Sequence, residues 1–241
     1  MEQKVFLTIT RYSKWMAIIG FFSMIFFRFA LFLNKNIRFL KLMGTGKNGE
    51  FDIRPDWKQW VIFSVHNKSY DDDLDHFKLI KNLYGGFIKW FIKTFSKESV
   101  VICLVPFKGH GSWDGNTLFE YADNVEKPDL PIAVITRASI RLQRVRSFWK
   151  YVPIVAKAMK QAEGLVFTFS IGEIPWLKQA TFSIWKNATA MQTFAYKQTE
   201  HKEVIRKTHQ EKWYSEEMFV RFHIQFIRGN YLPLKALANN S

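Results

Sequence analysis

The stretch LVFTFSIGEIPWLKQATFSIW, residues 165–185, decides how the chain is built. Leu165, Phe167, Phe169 and Ile171 alternate with Val166, Thr168 and Ser170, the period of a strand with one buried face. Gly172 to Trp176 reads as a turn, and Gln179 to Trp185 returns as the hairpin partner. Upstream, Ile132 to Ala138 is a short apolar strand. Val145, Phe148, Trp149, Val152, Val155, Ala156 and Met159 then fall on one side of a helix that Gly164 ends. Downstream, Asn187 or Thr189 can cap a second helix with Met191, Phe194, Ala195, Gln198, His201 and Ile205 along one side. Val220, Phe222, Ile224 and Phe226 alternate in a last strand. The order is β-α-β-β-α-β, that of a ferredoxin-like module.

The chain repeats this plan. Ile9-Thr10-Arg11 recurs as Ile135-Thr136-Arg137, Phe63-Ser64-Val65 as Phe182-Ser183-Ile184, and Ser96 as Ser215. Phe6 to Thr10 is a strand, Trp15 to Leu33 an apolar helix, and Ile37 to Met43 with Trp60 to Val65 a hairpin around the polar loop Gly44 to Trp57. A helix follows from Asp71 to Phe95, then a strand from Val100 to Phe107. The expected fold is α+β: tandem ferredoxin-like modules packed as a pseudo-symmetric α+β barrel. The expected boundaries are a first half over 1–109, a connector over 110–130, a second half over 131–231 and a tail over 232–241.

Composition narrows the function classes. With 241 residues the chain can bury a substantial core, and 24 Phe with nine Trp suit a packed interior or a pocket for a large flat ligand. The charge of +14 admits an anionic partner. No zinc-finger spacing, RNP-like stretch or long basic block supports nucleic acid, so none is expected. A single cysteine, Cys103, rules out an intrachain disulfide. Only Gly20, Ser23 and Arg28 interrupt the apolar run Trp15–Leu33. It reads as a core helix with one membrane-touching face, ahead of a fully interfacial helix or a true span. The expected location is the cytoplasm, at the inner face of the cytoplasmic membrane.

Where two halves share a scaffold, differences in chemistry point to a site. His201 has Asn82 as its ungapped counterpart in the first half. It lies on the helix side of Phe194 and Ile205, where a neutral imidazole can serve as a haem ligand or stand as a surface histidine. The turn through Glu173 and Trp176 places a carboxylate and an indole at one sheet end, or is a plain hairpin turn. Arg137 and Arg141 flank the start of the second half's first helix, as donors to haem propionates or as solvated charge. No histidine pair with carboxylate neighbours supports a zinc or non-haem iron site, and the Gly-x-Ser-x-Gly of serine hydrolases is missing.

Several motifs, in order, resemble the spheroidene monooxygenase family of carotenoid biosynthesis. They are Val134-Ile135-Thr136-Arg137-Ala138-Ser139-Ile140-Arg141, Phe148-Trp149, Val152-Pro153, Ile171-Gly172-Glu173-Ile174-Pro175-Trp176, Thr181-Phe182-Ser183-Ile184-Trp185, Phe194-Ala195-Tyr196 with His201, and Trp213-Tyr214-Ser215-Glu216-Glu217 with Arg221. The resemblance implies a haem b-dependent monooxygenase that inserts oxygen into a carotenoid-like substrate. It implies His201 as the iron ligand, Arg141, Trp149, Trp176 and Trp185 around the cofactor, and Arg137, Glu173 and Arg221 as catalytic candidates. An external donor such as a ferredoxin would supply electrons. Two rivals stay open: a cofactor-free monooxygenase of the same fold type, and a non-catalytic haem or lipid carrier.

Overall fold

The computed structural model describes residues 3–66, 70–71, 73–121, 129–197, 206–208 and 210–238. The chain forms two compact units: Met1–Gly44 with Asp56–Val105 and Ile224–Ser241, and Thr45–Pro55 with Pro106–His223.

In the first unit the order is β1 (Lys4–Tyr12), α1 (Ala17–Phe32), β2 (Ile37–Gly46), β3 (Pro55–His66), α2 (His76–Tyr84), α3 (Gly86–Phe95) and β4 (Ser96–Gly111). The strands are hydrogen-bonded in the order β4-β1-β3-β2, with β1 antiparallel to both β3 and β4. Phe6, Ile62, Val101 and Cys103 of the sheet pack against Phe27, Leu31, Leu79, Ile80, Ile88 and Ile92 of the helices. Cys103 is buried, its thiol donating to Gln225 Oε1 at 3.6 Å. The single helix expected over 71–95 is two. Gly85, at φ +94°, breaks it, and Asp75 caps α2 by accepting from the Phe77 and Lys78 amides.

The second unit follows with β5 (Ile132–Ile140), α4 (Val145–Lys160), β6 (Leu165–Ile174), β7 (Lys178–Trp185), α5 (Ala188–Lys197) and β8 (Tyr214–Gly229). The order of pairing is β6-β7-β5-β8, and all three pairs are antiparallel. Of the two cap candidates, Asn187 does the work: its side chain accepts the Ala190 amide at 2.9 Å. Two apolar clusters involve α4. Ile140, Phe148, Val152 and Trp213 gather toward its N-terminal end. Ala158 and Met159, toward its other end, pack on Phe107, Ile132, Val134, Trp185, Met191 and Phe194.

Ladder registers show which residues correspond in the two units. β1 slips against β4 between Arg11 and Tyr12, and β5 slips against β8 between Ser139 and Ile140. Lys4 pairs with His66, and Ile132 with Trp185. Matching the two bulges sets Ile9 against Arg137 and Thr8 against Thr136. The β3 and β7 match found by identity, Phe63 with Phe182, fits these ladders. The match of Arg11 with Arg137 is out by two residues, and that of Ser96 with Ser215 by one.

Candidate active site

Arg137 sits in β5, an inner strand of the second sheet, with its side chain 1% exposed. A bare guanidinium could not be buried there, and three carboxylates surround it. Arg137 donates through Nε to Glu173 Oε1 at 3.3 Å, through Nη2 to Asp114 Oδ1 at 3.0 Å, and through Nη1 to Glu216 Oε2. The Trp113 ring lies 5.3 Å from the guanidinium, and its Nε1–H donates to Glu173 at 2.8 Å. Lys178 adds a second cation, 2.6 Å from Asp114.

The local chain explains the arrangement. Ser139 pairs with Glu216 across β5 and β8. Glu216 therefore shares a face with Arg137, two residues along the strand. Asp114 and Gly115 adopt left-handed turn conformations, at φ +52° and +76°. Their amides, at 3.1 and 2.7 Å, and the Ser112 hydroxyl at 2.7 Å, all donate to Glu216. Gly111 lets this segment lie flush on β8, since a Cβ there would fall 2.1 Å from the Glu217 carbonyl oxygen. Burial alone would raise the Glu216 pKa. The Gly115 amide, the Ser112 hydroxyl and Arg137 outweigh that and bring it down to about 2.

The structure thus joins two of the expected catalytic residues, Arg137 and Glu173, and gives them partners for which no role was expected: Asp114, Lys178, Trp113 and Glu216, the last of them within a motif. Ser112-Trp113-Asp114-Gly115-Asn116 carries the Asp-Gly signal of a tight turn. No local pattern shows that the turn closes on a strand a hundred residues later. Arg221 lies elsewhere. Its register partner is Val134, an odd number of positions from Arg137, so it stands on the opposite face of the sheet.

That opposite face is the one the helices cover. Arg221 is buried there, 5.7 Å from the Phe219 ring. His223 stacks on Phe107 at 4.2 Å. Trp185 donates to Ser183 Oγ at 2.9 Å and meets Phe194 of α5 at 5.2 Å. Between the two apolar clusters the sheet is open: Thr136 is exposed and Phe219 only half-buried. Trp149 and Trp176 meet at the other end of β7 from Trp185, with the Trp149 indole donating to the Trp176 carbonyl at 3.1 Å. The eight residues of β7 span about 25 Å, so the three tryptophans do not form one wall. Arg141 is exposed and donates to the Tyr214 carbonyl at 3.1 Å. His201 and His209 lie outside the described residues. Among the described residues no three His, Cys, Asp or Glu side chains form a metal cluster.

Helix-faced antiparallel sheets with a buried ion cluster define this as an α+β protein. In solved structures the same fold occurs in aldoxime dehydratase, at a TM-score of 0.57 and 8% identity over 92% of this chain and 82% of that one. A second aldoxime dehydratase, in complex with butyraldoxime, gives 0.57 and 9% over 93% and 80%. At such identities the likeness concerns fold alone. No protein-family model matches the chain.

Curated sequences speak to the family. Spheroidene monooxygenase of Rhodobacter capsulatus is 31% identical over 204 residues, 84% of this chain and 82% of the relative. That of Rubrivivax gelatinosus is 30% identical over 198 residues, 80% and 70%. That of Cereibacter sphaeroides is 30% identical over 189 residues, 78% of this chain and 56% of the longer relative. The chain belongs to the spheroidene monooxygenase family, and it is an oxidoreductase of the monooxygenase class.

Proposed function

We propose that this chain inserts one atom of molecular oxygen into an apolar, carotenoid-like substrate in the cytoplasm, with haem b as cofactor and an external donor such as a ferredoxin as the electron source. The carrying observation is the 31% identity to the Rhodobacter capsulatus enzyme over 84% of the chain. The balance is that of a monooxygenase: a C–H bond becomes C–OH, the second oxygen atom leaves as water, and the donor supplies two electrons with two protons from solvent. We read the units as tandem ferredoxin-like modules. The second strings β-α-β-β-α-β along the chain, the first does so with its second helix split in two at Gly85, and the orders β4-β1-β3-β2 and β8-β5-β7-β6 match.

Haem asks for an imidazole at iron, flat apolar walls and cations for its carboxylates. The helix-facing side of the second sheet offers walls and a cation, and the expected imidazole is that of His201. Val134, Trp185 and Phe219 supply walls, Arg221 a buried guanidinium, and Thr136 open ground between them. His201 follows four residues after Lys197, the last residue of α5. In this reading His201 would bind the iron and Arg221 would pair with a haem carboxylate, with Arg141 at the rim. Bound haem supplies oxygen activation. The chain's own work is placement. Trp185 packed on Phe194 keeps water from one end of the strip. Trp149 and Trp176, partly exposed at the other, offer indole faces for a polyene to stack on. Arg137 and Glu173 act as positioning residues: Glu173, held by Arg137 and Trp113, lies three residues before Trp176 and fixes the turn that presents it.

The test is turnover under isotopically heavy oxygen gas, with haem-loaded protein, a ferredoxin reducing system and an acyclic carotenoid. A product carrying one heavy oxygen atom is expected. Unchanged carotenoid, or oxygen derived from water, would overturn the reading.

A further inference from the structure

The most prominent surface that oxygenation does not explain is on α1. Gly20, Ser23, Phe27 and Leu31 form its buried stripe. Gly20 is pressed on the Tyr12 ring, where an added Cβ would come within 2.6 Å, and Phe27 meets Phe91 of α3 at 5.2 Å. The other side faces outward. Trp15 is 88% exposed, Phe32 85%, Phe29 72% and Ile18 71%, with Phe22 and Phe26 about half exposed between them. Soluble monomers rarely show an apolar strip of this breadth.

Charge says what covers it. Between Glu2 and Glu50 the sequence contains no Asp or Glu. In the same stretch Lys14, Arg28, Lys35 and Arg38 are exposed. At 100° per residue, Arg28 falls about a quarter-turn from the centre of the outward face. There its stem can lie along apolar surface while the guanidinium reaches out to phosphates. An open cleft of about 230 Å³ lined by Ala17, Ile18, Phe21 and Trp57 adjoins the strip, and its lining suits an acyl chain. The indoles of Trp15 and Trp57 have the amphipathic character favoured at headgroup depth.

Lys14–Phe32 is long and apolar enough to cross a bilayer. Its buried stripe is nevertheless committed to the core of its own unit, and β1 and β2, which flank it, belong to the same sheet. Only the outward side is available to lipid.

We infer that α1 is an interfacial helix that seats the protein in-plane on an anionic phospholipid bilayer, with the Trp15–Phe32 side among the upper acyl chains and Lys14, Arg28, Lys35 and Arg38 on the headgroup phosphates. This goes beyond the oxygenase reading and does not depend on it, because the test needs neither haem nor carotenoid.

The experiment is co-sedimentation of the full chain with vesicles of phosphatidylcholine alone or mixed with phosphatidylglycerol. Wild type should partition to the mixed vesicles about tenfold more strongly than to phosphatidylcholine, and alkaline carbonate should release it. The variant I18S/F29S/F32S changes only exposed side chains. It should keep the wild-type melting temperature and lose about tenfold in partitioning. The variant K14E/R28E/K35E should lose the preference for phosphatidylglycerol. Wild type that stays in the supernatant with both vesicles, or an apolar variant that binds as wild type does, overturns the inference. So does resistance to carbonate, which would mean a span. A lipid-free dimer that the apolar variant dissociates would also overturn it, placing a second copy on this face.

Discussion

At corresponding ladder positions the first unit carries Thr8, Ser64 and His66, and the second carries Thr136, Ser183 and Trp185. The serines do the same thing: Ser64 Oγ meets His66 Nε2 at 3.0 Å, and Ser183 Oγ meets Trp185 Nε1 at 2.9 Å. Beyond them the units part. In the first, His66 Nδ1 is hydrogen-bonded to the Tyr70 hydroxyl at 2.6 Å. Ser64 and Thr8 both bond the Tyr84 hydroxyl of α2, at 3.2 and 2.8 Å. A buried polar chain seals the gap between helix and sheet, with each of these contacts satisfied. In the second, the indole has no further polar atom to pass on, its ring packs on α5, and Thr136 is left exposed. On the other face, buried Ile9 corresponds to Arg137 and its carboxylates. One scaffold therefore serves two ends. The first unit is closed by hydrogen bonds and apolar packing. The second keeps open sheet on its helical side and an ion cluster on its other face.

The difference can be broken most forcefully at Arg137. Arg137→Met leaves Glu173, Glu216 and Asp114 around a missing cation and should cost about 3–5 kcal/mol in denaturant unfolding. Ile9→Met, at the corresponding position, should cost less than about 1.5 kcal/mol. Equal costs would deny the cluster any special standing.

Titration separates the units next. Burial holds the His66 imidazole near 4, against an ordinary 6.5. Folding therefore favours its neutral form, and that stability is complete above pH 6.5 and lost as the pH falls to about 4. Burial holds His76 near 4 as well, so it adds to the same limb. Glu216, drawn from 4.5 to about 2, contributes above 4.5, and its share is lost on the way down to 2. Thermal melts across this range should show an upper limb, reduced in His66→Phe, and a lower limb, reduced in Glu216→Gln, with Asp52, also drawn down to about 2 by Arg54, keeping part of it. At neutral pH His66→Phe should itself cost about 2 kcal/mol, since Tyr70 and Ser64 lose a buried partner. An unchanged upper limb in that variant would exclude His66 as its source.

The smallest stability effect sharpens the comparison most. Thr136→Trp adds a ring on exposed sheet and should move stability by no more than about 0.5 kcal/mol. If the strip is where haem lies, the same variant should lose haem uptake in a titration. Normal uptake would place haem elsewhere.

Much of this fold was legible in the sequence. The alternation over 165–185 marks the hairpin, and the helical stripes mark α4 and α5. The registers were not. A shift of two residues keeps every side chain on its own face, so the pattern that reveals a strand cannot distinguish Ile9 from Arg11 as the counterpart of Arg137. The one-residue offset between β4 and β8 hides at the bulges. Arg137 and Glu173 stood out through their motifs. Glu216 lay in a motif too, but only a strand pairing distant in sequence brings it to Arg137, and only a left-handed turn brings Asp114 there. Asn82 opposite His201 was a local chemical contrast, and it remains the sequence's main pointer to an iron ligand.

Whether haem held by His201 carries the proposed oxygenation is read from the visible absorption spectrum of haem-titrated protein beside His201→Ala. A Soret band saturating at one haem per chain, lost or displaced in the variant while its melting temperature holds, is the predicted result. Wild-type protein that takes up no haem, or a band indifferent to the substitution, would contradict it.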